Sequence, residues 1–334
     1  MLAYIIRRLF QSVVVMLAVA LVSFSLFRFV GDPVATLTGQ ETTVAEREAL
    51  RDQLGLNDPF LVQFSRFVVR AAQGDFGISY RMRQPVMELI LSHLPATLEL
   101  ALVSGTLAFV FGVGFGVYTA LRRRGVLANA IMTVSLVGVS LPTFLIGILL
   151  IWVFAVELPR MSFITWRLPT FGRGEVVDLG WWTTGFLTAS GRASLVLPAI
   201  TLGLYQMTLI MRLVRAEMLE VLRSDYIRFA RARGLSDRTV HFGHALKNTL
   251  VPVITITGLQ LGSIIAFAII TETVFQWPGV GALFIRSVQS VDVPLMAAYL
   301  MLISLVFVVI NLIVDLLYYV VDPRLRVDRA ATRH

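Results

Sequence analysis

The chain has 334 residues, of which 57% are hydrophobic and 15% are charged, and its mean hydropathy is +0.78. Because soluble globular domains carry about 25% charged residues, this composition excludes a water-soluble protein and indicates a membrane protein. The net charge of +8 does not indicate nucleic-acid binding, since the arginines lie at the ends of apolar runs and not on a solvated face among aromatic side chains. Cysteine is absent, which excludes disulfides and thiolate chemistry.

Six mostly apolar stretches are long enough to cross a bilayer, because about twenty helical residues span the hydrocarbon core. The predicted spans are residues 9–30, 95–120, 128–156, 197–213, 249–275 and 294–321. The predicted fold class is therefore an all-α polytopic membrane protein with about six transmembrane helices. Pro142 and Pro252 lie inside the third and fifth spans, where proline can kink a helix.

Arginine is distributed unevenly between the two sides of the predicted membrane. It concentrates before span 1, between spans 2 and 3, between spans 4 and 5, and after span 6: Arg7, Arg8, Arg122, Arg123, Arg124, the arginines of 212–238, Arg324, Arg326, Arg329 and Arg333. The longer alternate loops mix arginine with glutamate and aspartate. The positive-inside rule therefore predicts that both termini and the loop after span 4 are cytoplasmic.

The spans and loops predict four regions. Residues 1–30 form the N-terminal cytoplasmic end and first transmembrane helix, and residues 31–94 form an extracytoplasmic helical loop. Residues 95–321 form a five-helix core that contains the cytoplasmic loop 214–248, and residues 322–334 form a cytoplasmic tail. The first apolar run exceeds the about 7–15 residues of a signal-peptide core, so we expect it to be retained as a span.

The first outer loop has local signals of helical structure. Thr43 and Glu46 have the spacing of a capping box, and Gly55 is placed to end a helix. Residues 59–73 have apolar side chains at helical spacing, which predicts an amphipathic helix on the outer surface. Two roles remain open for it: a lid over the span ends, or a contact for an external partner or substrate.

The second outer loop contains three tryptophans, Trp166, Trp181 and Trp182. Tryptophan is enriched at membrane–water interfaces, so anchoring is the preferred interpretation. Stacking against a ligand is the alternative.

Residues 225–248, the polar segment, separate two long apolar runs. Asp225 is a predicted N-cap for a helix at 226–233, Gly234 is placed to end that helix with positive φ, and Ser236 begins a second helix. Small residues permit close approach of another surface, and arginines supply directional donors for carboxylates. The pattern indicates a docking surface, and the alternative is an ordinary cytoplasmic loop that obeys the positive-inside rule.

The chain has one lysine, Lys247, and it precedes Asn248. A phosphate-binding P-loop needs Gly-Lys followed by Ser or Thr. The chain therefore lacks the usual means of hydrolysing ATP.

The polar segment also carries a specific resemblance. Residues 225–235, Asp-Tyr-Ile-Arg-Phe-Ala-Arg-Ala-Arg-Gly-Leu, and 244–248, His-Ala-Leu-Lys-Asn, resemble the signature of dipeptide/oligopeptide ABC importer permeases. The general signature is Glu-Ala-Ala, three residues, Gly, nine residues, Ile-x-Leu-Pro, and it is matched at Ala230, Gly234 and Leu246. It departs at Arg228, Phe229, His244 and Lys247.

Further blocks extend the resemblance over nearly the whole chain. In order, they are Gly31-Asp32-Pro33, Gly74-Asp75-Phe76-Gly77-Ile78-Ser79, Leu94-Pro95-Ala96-Thr97-Leu98-Glu99-Leu100, residues 271–281, and Asp322-Pro323-Arg324. Each block alone is weak evidence. Their order and spacing together make the resemblance strong.

The resemblance implies a permease of the type I ABC importer kind that forms half of a pore with a second homologous permease subunit. Two separate ATPase subunits would hold ATP and magnesium, with no cofactor on this chain, and an extracytoplasmic substrate-binding protein would deliver peptides or similar small solutes. The polar segment would couple to the ATPases, with its contact at Ala230, Arg231, Ala232, Gly234 and Leu235. The resemblance places the chain in a bacterial cytoplasmic (inner) membrane.

Ionisable and amide side chains inside the spans are candidates for the translocation pathway. Glu272 could line the outer mouth or pair with a neighbouring helix, and Gln260 could give span 5 a polar face or belong to a packing contact with Gly258 and Gly262. For Asp315 we expect a structural hydrogen-bond role.

Two other functions compete with that of an ABC permease for a chain of this composition. A secondary, ion-coupled transporter usually shows inverted repeats and broken helices near the midplane, and no convincing repeat or acid–histidine relay is present. A membrane-embedded hydrolase would need a His-Glu-x-x-His, Gly-x-Ser-x-Gly or cysteine motif, and none occurs in the sequence.

Overall fold

The computed structural model describes residues 2–29, 34, 43–53, 55–160 and 167–321. The sequence blocks at 31–33 and 322–324, the tail 322–334 and Trp166 lie outside the described residues, as does the side chain of Asp315. Within the described part of the chain, five helices are long and apolar enough to cross a membrane, or six if one bent helix pair counts as a span. This confirms an all-α polytopic fold.

The helix α1 (Leu2–Phe29) is followed by two shorter helices, α2 (Val44–Gln53) and α3 (Phe60–Ala72). The predicted capping box is present: the backbone N–H of Thr43 donates to Glu46 Oε2 at 2.9 Å, and Thr43 Oγ1 accepts from the Glu46 N–H at 3.3 Å. The Thr43 hydroxyl also donates to Glu46 Oε2, at 2.9 Å, and the two bonds that this carboxylate accepts from the Thr43 backbone and side chain lower the pKa of Glu46. Gly55 has φ +65°, as predicted.

Helix α3 lies against the end of α1 through an aromatic cluster. The ring of Phe24 on α1 contacts Phe60, Phe64 and Phe67, with centroids 5.2, 5.7 and 5.7 Å away. Aromatic pairs at these separations contribute beyond the area they bury. The amphipathic helix predicted at 59–73 is therefore present, and its apolar face packs on the first spanning helix.

Two long parallel helices form the centre of the molecule, α4 (Val86–Leu121) and α7 (Ala189–Val221). Both begin eight or nine residues before the predicted spans, because Pro95 and Pro198 lie inside the helices instead of starting them. The start of α7 is fixed by Thr188, whose side chain accepts from the Gly191 N–H at 3.0 Å.

Glycines on α4 allow these two helices to approach closely. A Cβ added at Gly112 would lie 3.0 Å from the carbonyl oxygen of Met207, and one at Gly116 would lie 2.8 Å from that of Met211. Small residues at i and i+4 are a typical device for close contact between membrane helices. Since the contact involves backbone atoms on α7, the two helices pack directly against each other without intervening side chains at these positions.

The predicted third span, 128–156, is two helices and not one. Helix α5 (Val126–Ser140) ends before Pro142, and helix α6 (Thr143–Trp152) continues as a π-helical turn, Val153–Glu157, and a last turn, Leu158–Arg160. Leu141 has an extended backbone (φ −91°, ψ 137°), as expected for a residue that precedes proline. Proline therefore breaks this span instead of only kinking it.

A small hairpin connects α6 and α7 and is the sole sheet among the described residues. Strand β1 (Val177–Asp178) pairs antiparallel with β2 (Thr183–Thr184), in the register Val177 with Thr184. The hairpin lies at the end of the bundle opposite the polar segment. That end, which also carries α3, is called the distal end below.

The chain then passes through the polar segment and returns as two apolar helices. Helix α8 (Asp225–Ala232) is followed by a π-helical turn, Thr239–Ala245, that runs into α9 (Leu246–Val274). Helix α10 (Val280–Gln289) crosses the distal end, and α11 (Val293–Val321) completes the bundle. The run from Thr239 to Val274 bends by 44° between Gly258 and Gln260, six residues beyond Pro252, which lies inside α9.

Candidate functional site

Helix α8 starts one residue earlier than the sequence predicted. Ser224 has the extended backbone of an N-cap residue (φ −66°, ψ 153°), and Asp225 is the first helical residue. The Asp225 carboxylate pairs with Arg228 at 3.0 Å instead of capping the helix. An acidic side chain is favourable in the first turn as well as at the cap, because it interacts with the helix dipole.

The end of α8 follows the prediction. Gly234 has φ +76°, a conformation that only glycine adopts without strain. Ser236 Oγ then accepts from the Thr239 N–H at 3.4 Å, which caps the second helix of the polar segment. The segment is therefore a helix–glycine–helix corner.

One face of α8 is buried inside this chain. Ile227 is fully buried and Ala230 is 5% exposed, and both belong to a core cluster with Val214 and Met218 of α7 and Val240 of the π-helical turn. Ala230 thus packs against its own chain. The other four residues predicted for the contact, Arg231, Ala232, Gly234 and Leu235, are exposed.

The exposed face of α8 also carries an aromatic side chain that the sequence reasoning did not select. Phe229 is 65% exposed, and the guanidinium of Arg233 lies 5.9 Å from its ring centroid. Phe242, on the π-helical turn, is 53% exposed. The sequence does hint at Phe229, because it is a large aromatic residue next to Arg228 in a polar segment. Its exposure follows from its position next to the buried Ala230 on the helix. Phe229, Arg231, Ala232, Gly234 and Leu235 together are called the α8 face below.

The polar segment is joined to the spanning helices through its base. The core cluster under α8 includes Val117 and Ala120 of α4 and Val253 of α9 in addition to the α7 residues. The ring of Tyr226 packs edge-on against His244 at 5.9 Å. A displacement of α8 would therefore be transmitted to three spanning helices through close-packed side chains.

Glu272, a candidate for the pathway, is fully buried. Its carboxylate accepts from Thr97 Oγ1 of α4 at 2.5 Å and from the Ala282 N–H of α10 at 2.9 Å. A Cβ added at Gly279 or Gly281 would collide with this carboxylate. In this structure no atom of Glu272 faces an open path, and the geometry favours the alternative, pairing with neighbouring elements.

Gln260, the other pathway candidate, is half-buried and lies at the bend of α9. The two glycines on either side of it, Gly258 and Gly262, lie against α11. A Cβ added at Gly258 would lie 2.6 Å from Val314, and one added at Gly262 would lie 2.7 Å from the Phe307 ring. Those two glycines thus allow α11 to approach α9. These contacts do not involve the side chain of Gln260, which stays a predicted residue of the translocation pathway.

A buried ion pair connects α4 with the distal hairpin. Arg173 Nη2 lies 2.7 Å from Glu99 Oε2, and the two side chains are 6% and 2% exposed. The same nitrogen donates to the Thr183 carbonyl at 2.6 Å, and Trp182 Nε1 donates to Glu99 Oε1 at 3.4 Å. Trp182 therefore holds the hairpin through a hydrogen bond, while Trp181 is 83% exposed.

A third buried carboxylate, that of Asp292, bonds the first outer loop to the turn before α11. Asp292, 1% exposed, accepts from the Ser79 hydroxyl and from the N–H groups of Tyr80 and Arg81 at 3.2 and 3.3 Å. Burial raises the pKa of Tyr80, and the nearby Asp292 carboxylate adds to the rise. Val291, the residue before Asp292, has φ +53°, which is strained for a β-branched residue.

No group of three or more metal-ligating side chains occurs among the described residues. The side chains that the structure brings together are instead suited to packing and to fixed ion pairs. Among the residues that the structure describes, the α8 face combines an exposed aromatic ring, Phe229, with an exposed cation, Arg231.

The arrangement of these helices is that of an ABC importer permease. A structure of the MetNI methionine ABC transporter matches with a TM-score of 0.54 at 19% identity, covering 72% of this chain and 100% of that chain. At this level of identity the match shows the fold, which is the type I importer permease fold.

Family models identify the chain more closely. The model of the binding-protein-dependent transport system inner membrane component matches residues 112–327, and the model of its N-terminal part matches residues 1–101. The chain belongs to this family of inner-membrane permease components.

Curated relatives are similar over nearly the full length. The dipeptide transport system permease protein DppB of Alkalihalophilus pseudofirmus is 38% identical over 98% of this chain and 100% of its own length. The di/tripeptide permease protein DppB of Pseudomonas aeruginosa is 39% identical over 98% and 100%, and the glutathione permease protein GsiC of Escherichia coli is 37% identical over 98% and 99%. These relatives are all permease proteins of transport systems.

Proposed function

We propose that this chain is the transmembrane permease subunit of an ATP-driven importer for peptides or similar small solutes. Its family membership and full-length similarity to dipeptide, tripeptide and glutathione permeases support the substrate class. The observation that carries the coupling role is the α8 face, which is exposed while its base is locked into the bundle.

The proposed assembly has four further components. A second homologous permease subunit completes the pore, and two ATPase subunits bind ATP and magnesium at the α8 end. An extracytoplasmic binding protein delivers the solute at the distal end. The lack of a P-loop in this chain is consistent with hydrolysis on separate subunits.

The distribution of arginine supports the orientation of the chain in the cytoplasmic membrane. The α8 end carries Arg122, Arg123, Arg124, Arg231 and Arg233, and the positive-inside rule assigns such an end to the cytoplasm. Both termini then lie in the cytoplasm, and the distal end faces outward.

The coupling contact that we propose is the α8 face: Phe229, Arg231, Ala232, Gly234 and Leu235. The exposed ring and the leucine would enter an apolar groove on the ATPase, and the arginines would bind carboxylates at its rim. Ala230, predicted from the sequence as part of the contact, has a different role, because it anchors α8 to the core.

The same geometry supports a lever mechanism. When the ATPase pair closes on ATP, it would carry α8 with it, and the cluster around Ile227 and Met218 would pass the movement to α4, α7 and α9. Gln260 lies where α9 bends, so we propose that it faces the pathway that this movement opens.

The coupling role is tested by replacing Gly234. Its φ of +76° strains any β-branched side chain, yet nothing lies within 4 Å of an added Cβ, so Gly234→Val should alter the corner without disturbing the core. We expect uptake by the assembled transporter to fall at least about tenfold, because a small misplacement of a contact can cost that much. ATPase stimulation by loaded binding protein should be lost with it.

Gly180 provides a matched control. It has φ +87° and nothing within 4 Å of an added Cβ, but it lies in the distal hairpin. Gly180→Val should not change the rate of basal ATP hydrolysis, and hydrolysis should stay coupled to uptake as in the wild type. Unchanged uptake and stimulation in Gly234→Val would refute the coupling assignment.

A further inference from the structure

A long apolar groove runs along the outside of the α4–α7 pair. Its volume is about 600 Å³, and it begins at the distal end beside Phe186 and Arg192. From Val103 to Phe115 on α4 the lining extends about 18 Å at 1.5 Å per residue. The lining side chains on the two helices include Val103, Leu107, Phe111 and Phe115 of α4, and Val196, Ile200, Leu204 and Met207 of α7.

The groove differs in character at its two ends. Below the first turn of α7 its lining is apolar, and several of these side chains are open to the surroundings: Phe111 is 45%, Val196 37% and Ile200 40% exposed. At the distal end, Arg192 Nη1 donates to the Phe186 carbonyl at 2.9 Å, which fixes the guanidinium over the mouth of the groove. Within the described residues, no carboxylate pairs with Arg192.

We propose that this groove binds a phospholipid, with one acyl chain along α4 and α7 and its phosphate on Arg192. An apolar channel about 18 Å long matches the length of an extended acyl chain. Because the bilayer interior is as apolar as the groove, packing against the two helices and the phosphate contact at Arg192 favour a bound lipid, and transfer from water does not contribute. Arginine binds phosphate through parallel N–H donors, so the exposed guanidinium complements the headgroup. In the orientation proposed above, the lipid belongs to the outer leaflet.

The charge at the distal end favours lipid over a helix of the second permease subunit. A partner helix would fill an apolar groove equally well, but it would leave the cation at the mouth without an anionic ligand. Since α4 and α7 are in direct contact at Gly112 and Gly116, the two walls of the groove are held close together. The bound lipid would then be a fixed part of the permease.

Native mass spectrometry of the detergent-purified whole transporter tests this proposal. The wild type should retain one phospholipid per copy of this chain. Arg192→Gln removes the phosphate ligand, and Ile200→Trp fills the groove from an exposed position, so both should lower lipid occupancy at least about tenfold. Arg192→Lys should keep an intermediate occupancy because it keeps the charge but not the paired donors.

Two control variants change similar side chains elsewhere. Arg160→Gln alters a distal arginine that pairs with Glu157, and Val110→Trp adds a ring at a 57% exposed position of α4 outside the groove. Both should retain the lipid. Equal lipid occupancy in the wild type and all five variants, or no retained phospholipid in the wild type, would overturn the proposal. Neither result bears on coupling to the ATPases, so the two proposals fail independently.

Discussion

Glu272, which the sequence offered as a pathway residue, is a buried side chain that bonds neighbouring helices together. Its carboxylate joins α4, α9 and the start of α10, and its bulk explains why Gly279 and Gly281 are glycines. The Trp277 indole, which donates to the Ala96 carbonyl at 2.9 Å, closes the same corner. The motif at 271–281 is therefore explained by packing around one buried carboxylate.

Because Glu272 joins three helices, Glu272→Gln should lower the stability of the fold. The amide keeps the shape but replaces one acceptor oxygen by a donor, which leaves a buried group unsatisfied at a cost of about 1–3 kcal/mol. The Glu272→Gln transporter should therefore unfold at a lower midpoint temperature than the wild type. As a control, Glu88→Gln, at an exposed position of α4, should leave the midpoint unchanged. An unchanged midpoint with reduced uptake would instead place Glu272 in the pathway.

The buried Arg173–Glu99 pair yields a second prediction at this scale. Arg173→Met leaves the Glu99 carboxylate buried without its cation, which should destabilise the distal hairpin by about 3–5 kcal/mol. Adding Glu99→Gln should recover part of that loss. Arg160→Met, in an exposed pair with Glu157, should cost less than about 1 kcal/mol. Thermal unfolding compares Arg173→Met, the double variant and Arg160→Met. Equal unfolding midpoints in the three proteins would contradict the role of the Arg173–Glu99 pair in stability.

At the element scale, local signals predicted local structure well. The capping box at Thr43, the glycine corner at Gly234 and the cap at Ser236 all depend on residues within a few positions of each other. The break at Pro142 and the early starts of α4 and α7 were not predicted. Apolar spacing cannot show whether a proline starts a helix, lies inside it or ends it, because tertiary contacts decide.

The α4–α7 contact yields a prediction for two glycines on one helix. At Gly116 an added Cβ would lie 2.6 Å from Val214 and 2.8 Å from the Met211 carbonyl, so Gly116→Val should force the helices apart and cost about 1–3 kcal/mol or more. At Gly114 nothing lies within 4 Å, and Gly114→Val should be tolerated. Thermal unfolding and uptake measure both, and equal tolerance would show that the helices are not in rigid contact.

At the scale of the whole molecule, the sequence predicted the class of fold but not the contacts that fix it. The spans follow from hydropathy, and the polar segment follows from its motif. The Glu99–Arg173 pair joins residues 74 positions apart, and Asp292 bonds Ser79 across 213 positions. No periodicity or spacing encodes such pairs, because they arise only when the helices pack.

The same limit applies to the coupling surface. The motif located it at 225–248, but the helical register decides that Ala230 faces inward and Phe229 outward. A one-dimensional motif gives the same weight to both faces of a helix. The structure therefore changes the membership of the proposed contact without moving its position in the chain.

If the α8 face meets a separate ATPase subunit, a cysteine placed on that face should lie next to the ATPase. The sequence contains no other cysteine, so such a contact can be tested directly. A single cysteine at Ala232→Cys, in the whole transporter in membranes, should form a thiol-specific cross-link to the ATPase subunit. Leu187→Cys, 63% exposed at the distal end, should form none. A cross-link from Leu187→Cys to the ATPase and none from Ala232→Cys would contradict the account.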